Sequence, residues 1–257
     1  MLVMRRLLIL ISVLLSVGSS NARAQTASIT FWPVLGQASR PAVSYVDRGN
    51  GLVAKGDLDG AITDFTAAIA FDPCLAIAYC NRGRAHQLKG DLDDAILDYN
   101  RCIDLDPHLA AAYSNRGNTL QAKGQIDAAL SDYDKAISLD RNIAEAYSNR
   151  GTIKRFRGDL EGAIADYNRA IAIKPKFPMS YNNRGNAMLD KGRLKEAVAD
   201  FDRAIQLNPR YAEAYANRGF AKLLQGDAAK AQTDFDHAIW LDDKLKENIE
   251  QRRKPLR

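Results

Sequence analysis

Small and apolar residues recur along most of this chain with the spacing of an amphipathic α-helix. Tyr79, Gly83 and His86 fall at positions i, i+4 and i+7, and the same spacing begins again at Ala95 and Tyr99. Residues spaced in this way share one side of a helix. The pattern therefore predicts two successive helices, each with one buried face.

A glycine separates the two predicted helices. Gly90 suits the left-handed position that ends a helix, and the carboxylate of Asp91 suits the first free amides of the next helix. Pro107 suits the end of the second helix, since proline lacks a backbone donor. The segment therefore predicts a helical hairpin.

The hairpin pattern returns with a period of about 34 residues, and six copies are in register. The first-helix glycines are Gly49, Gly83, Gly117, Gly151, Gly185 and Gly219. The turn glycines are Gly56, Gly90, Gly124, Gly158, Gly192 and Gly226. The second helices carry an aromatic residue at Phe65, Tyr99, Tyr133, Tyr167, Phe201 and Phe235. Because glycine costs about 1 kcal/mol in a helix interior, the first-helix column predicts close approach of the paired helix.

This order of aromatic residue, small residue, turn glycine, alanine, aromatic residue and proline resembles the tetratricopeptide repeat over residues 42–243. The resemblance implies an all-α fold, an α-solenoid of six tandem hairpins wound into a right-handed superhelix. The predicted repeats are 42–75, 76–109, 110–143, 144–177, 178–211 and 212–243. Leu245 and Ile249 form a thin apolar stripe among charged residues, so residues 244–257 are interpreted as a capping helix and basic tail.

Residues 1–24 resemble a secretory signal. Arg5 and Arg6 precede an apolar run of about 11 residues, which is shorter than the roughly 20 that span a bilayer. Ala22 and Ala24 suit cleavage before Gln25, which predicts a periplasmic or secreted protein without stable membrane insertion. Residues 25–41 break the period and are interpreted as a linker whose Phe31-Trp32-Pro33 docks on the first hairpin.

The balance of charge argues against nucleic acid as a partner. The formal charge of +5 includes three arginines and no acid in residues 1–24, so the predicted mature chain carries +5 − 3 = +2. Binding to nucleic acid requires many more phosphate-neutralising cations. The expected partners are other proteins or peptides.

The column most suggestive of binding is an asparagine two residues after the first-helix tyrosine, which is Tyr79 in the second copy. Its members are Asn81, Asn115, Asn149, Asn183 and Asn217, with Asp47 in the first copy. Two residues rotate about 200° around a helix, so these amides point away from the hairpin partner. Asparagine is a poor helix former, but its amide can both donate to and accept from an extended peptide backbone.

The resemblance implies that these asparagines face a concave peptide-binding groove. The alternative is that they bridge neighbouring first helices. Residues three positions further on would set specificity, and the candidates are Arg84, Asn118, Thr152, Asn186 and Phe220. Those at seven positions further on are Leu88, Ala122, Phe156, Asp190 and Leu224.

Two charged columns flank the packed faces. An arginine follows the asparagine position in all six copies, from Arg48 to Arg218, and an aspartate precedes the second-helix aromatic residue, from Asp64 to Asp234. These columns predict repeated Arg–Asp pairs between helices, with a structural role.

The remaining reactive residues give no enzymatic pattern. Three cysteines predict no disulfide framework, and Cys102, in a small-residue column, is interpreted as a buried inert thiol. His86, His108 and His237 lie in different copies without a carboxylate at ligand spacing, so no metal site, cofactor or catalytic residue is predicted. The sequence favours a monomeric, non-enzymatic scaffold of the cell envelope, and the alternative is a self-associating structural spacer that does not use the groove.

Overall fold

The computed structural model describes residues 40–254, and within them every regular element is an α-helix and no strand occurs. This confirms the all-α prediction. The helices are α1 Arg40–Lys55, α2 Leu58–Phe71, α3 Ala76–Lys89, α4 Leu92–Leu105, α5 Ala110–Ala122, α6 Ile126–Leu139, α7 Ala144–Phe156, α8 Leu160–Ile173, α9 Pro178–Asp190, α10 Leu194–Leu207, α11 Ala212–Leu224, α12 Ala228–Leu241 and α13 Leu245–Arg253. The predicted signal at residues 1–24 and the docking of Phe31-Trp32-Pro33 lie outside the described residues.

Contacts group the described residues into two units, 40–146 and 147–254, and the boundary falls inside α7. In the first unit α1 pairs with α2, α3 with α4 and α5 with α6. In the second unit α9 pairs with α10, α11 with α12, and α13 packs against α12. Within each unit the first helices of adjacent hairpins also contact one another, as α1 does α3 and α9 does α11. We call the surface that the first helices of a unit form its first-helix face.

Left-handed glycines close the hairpins, as the sequence predicts. All six turn glycines have a positive φ, in a region that other residues avoid because of their Cβ atom. The prediction for Asp91 is wrong, because its carboxylate accepts no hydrogen bond from the start of α4. Asp57, at the same place in the first repeat, does accept from the amide of Gly60 at 3.0 Å.

The first-helix glycines lie where the paired helix approaches most closely. A Cβ atom at Gly117 would lie 2.9 Å from Cε1 of Tyr133 and 3.3 Å from the carbonyl oxygen of Ala129. The six second-helix aromatic residues, from Phe65 to Phe235, are fully buried against this gap. The close approach inferred from the glycine column is confirmed.

Each column arginine makes a bidentate pair with the aspartate at the facing position of the second helix. Nε and one terminal nitrogen of Arg116 donate to the two carboxylate oxygens of Asp132 at 2.8 and 2.7 Å. The other terminal nitrogen of Arg116 donates to Asn100, on the second helix of the preceding repeat, at 2.7 Å. The guanidinium thus ties three helices together, and the predicted structural role is confirmed.

The structure corrects the interpretation of two cysteines. Cys80 on α3 and Cys102 on α4 form a buried disulfide, with Cα atoms 5.3 Å apart. Both residues occupy small-residue positions on the facing sides of one hairpin, which brings their side chains together. Cys102 is therefore not a free thiol, whereas Cys74 is free and exposed.

Among residues 40–254, none of the helices combines the length and the apolar character needed to cross a bilayer.

Candidate functional site

The asparagine column lies on the first helices, and two of its members bridge adjacent repeats. Asn81 is 4% exposed and donates from Nδ2 to Oδ1 of Asn50 at 3.0 Å. Asn217 is equally buried and donates to Oδ1 of Asn182 at 3.1 Å. At these two positions the amides bridge neighbouring first helices, which was the alternative to groove binding.

The other three asparagines are more accessible. Asn115, Asn149 and Asn183 are all partly exposed. In the part of the chain that the structure describes, the side chains of Asn115 and Asn183 have no hydrogen-bond partner. Asn115 therefore offers an open amide on the first-helix face of the first unit, and Asn183 does so on that of the second.

The predicted flanking residues differ in what they contact. Nε of Arg84 is buried without a hydrogen-bond partner, and Oδ1 of Asn118 accepts a hydrogen bond from the hydroxyl of Tyr133 at 2.8 Å. Asn186 is partly exposed, one helical turn beyond Asn183. Asn186 is thus a partly exposed flanking amide beside the open Asn183.

At the last repeat the first-helix face is covered by α13. The guanidinium of Arg252 lies 3.8 Å from the ring centroid of Phe220, and one of its terminal nitrogens donates to Oδ1 of Asn217 at 3.5 Å. Phe220 is almost fully buried, so it is not available to contact a peptide. The prediction that Phe220 sets specificity is wrong, because residue spacing does not show where α13 packs.

A buried cluster of charged residues lies next to Arg252 of α13. A terminal nitrogen of Arg155 lies 3.3 Å from Oδ2 of Asp190, which is itself mostly buried. Burial raises the pKa of Asp190, against the opposing effect of Arg155 and Arg252. Burial, and then the nearby charge of Arg155, lower the pKa of Arg252 to about 10, so it remains a cation at neutral pH. Asp190 is therefore committed to these arginines rather than open to a ligand.

A second group of polar side chains, missed in the sequence, lies at the turn of the second repeat. The ligand atoms of His86, Asp91 and Asp94 all lie within 4.8 Å of one another. The expectation that no histidine has a carboxylate at ligand spacing is wrong for His86. The sharp turn at Gly90 reverses the chain, so residues five and eight positions later return to the histidine. The spacing His-x4-Asp-x2-Asp across a turn glycine was the available signal.

Several known structures share this repeat architecture. The MamA protein is 30% identical, and the match covers 67% of this chain and 94% of that one with a TM-score of 0.56. YrrB, described as a TPR protein with an unusual peptide-binding site, is 23% identical over 74% of this chain and 97% of its own, with a TM-score of 0.58. PilW, described as a widely conserved type IV pilus biogenesis factor, is 19% identical over 83% and 99%, with a TM-score of 0.73. The last two likenesses concern the fold alone.

Family comparisons agree with the repeat pattern. No curated protein matches the chain in sequence. Residues 49–90, 153–192 and 185–226 match the family described as TPR repeat. Residues 76–109 and 110–143 match the family described as Tetratricopeptide repeat. Together with the paired helices, turn glycines and close-packed first-helix glycines, these matches show that the chain belongs to the tetratricopeptide repeat family.

Proposed function

We propose that this protein is a non-enzymatic interaction scaffold of the cell envelope that holds an extended segment of a partner protein against its first helices. The tetratricopeptide fold is itself a protein-interaction scaffold, and the proposal adds the mode of binding. The observation that carries it is an open amide in each unit, Asn115 in the first and Asn183 in the second; each is partly exposed and unpartnered within residues 40–254.

The chemistry of these amides suits a peptide backbone. A carboxamide offers two donors and one acceptor oxygen, and an extended backbone presents alternating N–H and C=O groups. Such contacts read the backbone rather than the side chains, so Asn186 and other flanking residues would supply selectivity. YrrB, a protein of the same fold, is described as having an unusual peptide-binding site, which supports a peptide as the class of ligand.

Two features support a location outside the cytoplasm. Arg5 and Arg6, the apolar run and Ala22-x-Ala24 form a pattern typical of a secretory signal. The Cys80–Cys102 disulfide is of a kind that persists in oxidising compartments. We expect the exported protein to begin at Gln25, which the intact mass of material from the envelope would check. Recovery of a chain that retains Met1 would contradict export by cleavage.

A photocrosslinking experiment tests the binding face. A photoreactive amino acid replaces Asn186, beside the open amide of Asn183, and in a matched variant it replaces Trp240. Trp240 lies on the second helix α12 and is 77% exposed, so it controls for accessibility. The proposal predicts that position 186 crosslinks to one defined segment of a partner in the native envelope, whereas position 240 does not.

The same experiment separates the structural alternative. A self-associating spacer would crosslink to a second copy of the chain from position 240 and would be oligomeric when purified. The scaffold proposed here is a monomer in the absence of its partner, which light scattering on the purified protein measures. Crosslinks from position 240 alone, with a dimeric or larger mass, would overturn the proposal in favour of the spacer.

A further inference from the structure

We propose that His86, Asp91 and Asp94 bind a divalent zinc ion at the turn between α3 and α4. One imidazole nitrogen and two carboxylates are ligands that zinc accepts, and water would complete the coordination shell. The three ligand atoms already lie within 4.8 Å of one another. The site is separate from the open asparagines and does not depend on peptide binding.

The histidine is oriented as a metal ligand is. Nδ1 of His86 is buried, has no hydrogen-bond partner within residues 40–254 and lies 3.6 Å from Oδ2 of Asp91. On the other side of the ring, Nε2 lies 4.0 Å from Oδ2 of the buried Asp98. A ligating histidine commonly directs its second nitrogen to a carboxylate, which fixes the ring and raises its basicity. Asp98 is itself held in place by Arg82, at 2.8 and 2.7 Å.

Asp91 behaves differently from the aspartates that occupy its position in other repeats. Asp57, Asp159 and Asp227 each accept a hydrogen bond from the backbone amide three residues later. Asp91 makes no such capping bond, and its Oδ2 lies 3.6 Å from Nδ1 of His86 and 3.5 Å from Nζ of Lys89 instead. Since an unmade cap leaves an amide of the helix start without its partner, this orientation favours a ligand role over a capping role.

Without a metal ion, Lys89 neutralises part of the negative charge of Asp91, and it also pairs with Asp59. Nζ of Lys89 lies 3.5 Å from Oδ2 of Asp91 and 2.8 Å from Oδ1 of Asp59. A bound zinc ion would replace the more distant of these contacts, and Lys89 would keep its pair with Asp59. Asp94 is exposed, so its carboxylate can turn to the ion without losing a buried contact.

The combination of a histidine at the end of the first helix with two aspartates after the turn occurs only in the second repeat. The positions equivalent to His86 hold Leu52, Leu120, Lys154, Met188 and Lys222. Two of these equivalents, Lys154 and Lys222, place an ammonium beside the core aspartate of their own repeat, at 2.9 and 2.8 Å. His86 replaces that fixed cation with a ring that can ligate, which distinguishes this turn from the others.

Isothermal titration calorimetry with zinc chloride tests the proposal on the untagged full chain after removal of metals by chelation. We expect one zinc ion per chain and a higher melting temperature in its presence. His86→Leu is the main variant, because leucine occupies this position in the first and third repeats and should preserve the fold. We expect it to weaken zinc binding by more than about tenfold.

Two controls keep the outcome decisive. His108→Ala removes a histidine from an exposed turn and should bind zinc like the wild type. Asp91→Asn provides a second loss-of-ligand variant in case His86→Leu lowers stability for another reason. Absence of zinc binding by the wild type, or equal binding by the wild type and both ligand variants, would overturn the proposal.

Discussion

Each Arg–Asp pair joins an arginine that is at least partly exposed to a buried aspartate. The side chain of Arg218 remains 17% exposed while that of Asp234 is only 5% exposed. Two guanidinium nitrogens donate to Asp234 at 2.9 and 2.6 Å, and Lys222 approaches the same carboxylate at 2.8 Å. The positive charges and hydrogen bonds of these donors compensate the carboxylate for the loss of its contacts with water. Loss of any one of the donors would leave that compensation incomplete.

Removal of this carboxylate should therefore destabilise the fold. We expect Asp234→Ala to lower the free energy of unfolding by about 3 kcal/mol, because it strands two cations beside a buried face. Asp236→Ala is the matched control on the same helix, where the aspartate is exposed, and it should change stability by less than about 0.5 kcal/mol. Chemical denaturation of the two variants measures both effects. Equal losses would contradict the structural role of the Arg–Asp column.

Sequence columns predict these pairs but not all of their partners. The arginine and aspartate columns follow from residue identities at fixed spacing. The additional hydrogen bond from Arg116 to Asn100 depends on how one hairpin packs against the previous one. Spacing within a single hairpin does not specify that packing. The Cys80–Cys102 bond and the approach of Asp91 to His86 were missed for the same reason. Each depends on distances across a turn that periodicity leaves open.

At the scale of elements, a glycine inside a helix is explained where a side chain of the paired helix packs directly against it. Gly117 and Gly51 both lie inside first helices. A Cβ atom at Gly117 would meet the ring of Tyr133 at 2.9 Å, whereas one at Gly51 would meet nothing within 4 Å. The same substitution should therefore have opposite effects at the two positions.

We expect Gly117→Ala to lower the free energy of unfolding by about 1–3 kcal/mol, since the added methyl group overpacks the hairpin. Gly51→Ala should raise it by up to about 1 kcal/mol, because alanine is the better helix former. Thermal melts followed by circular dichroism would measure both changes. A stabilising effect at position 117 would contradict the close-packing account of the glycine column.

Helix α13 lies in the sequence register of a first helix. One repeat period after Tyr215, Asn217, Arg218 and Gly219, the chain has Ile249, Gln251, Arg252 and Arg253. Arg253 occupies the position of the first-helix glycine, and its guanidinium carbon lies 5.0 Å from the ring centroid of Phe235. The register of α13 thus follows from the sequence period.

At the scale of the whole chain, the repeat period was sufficient to predict the helices and their pairing. The first helix begins at Arg40, two residues before the start of the first predicted repeat. The binding face was harder to predict, because one sequence column contains amides in two environments. Asn81 and Asn217 are buried in bridges, whereas Asn115 and Asn183 remain open. The side chains of the neighbouring first helix, Asn50 and Asn182, create this difference. The identity of the column residue alone does not predict it.

The central claim is that the open amides bind a partner's backbone, and its most direct measurement is the affinity of the crosslinked segment, synthesised as a peptide. We compare the wild type by calorimetry with Asn183→Ala and with Asn115→Ala, which lie in different units. A lost hydrogen bond contributes on the order of 1 kcal/mol, so Asn183→Ala, in the unit that holds position 186, should bind the segment about fivefold more weakly. Their melting temperatures should stay close to wild type, whereas Asn81→Ala, which breaks a buried bridge, should melt lower. Undiminished affinity of Asn183→Ala, or a variant that melts well below the wild type, would contradict the account.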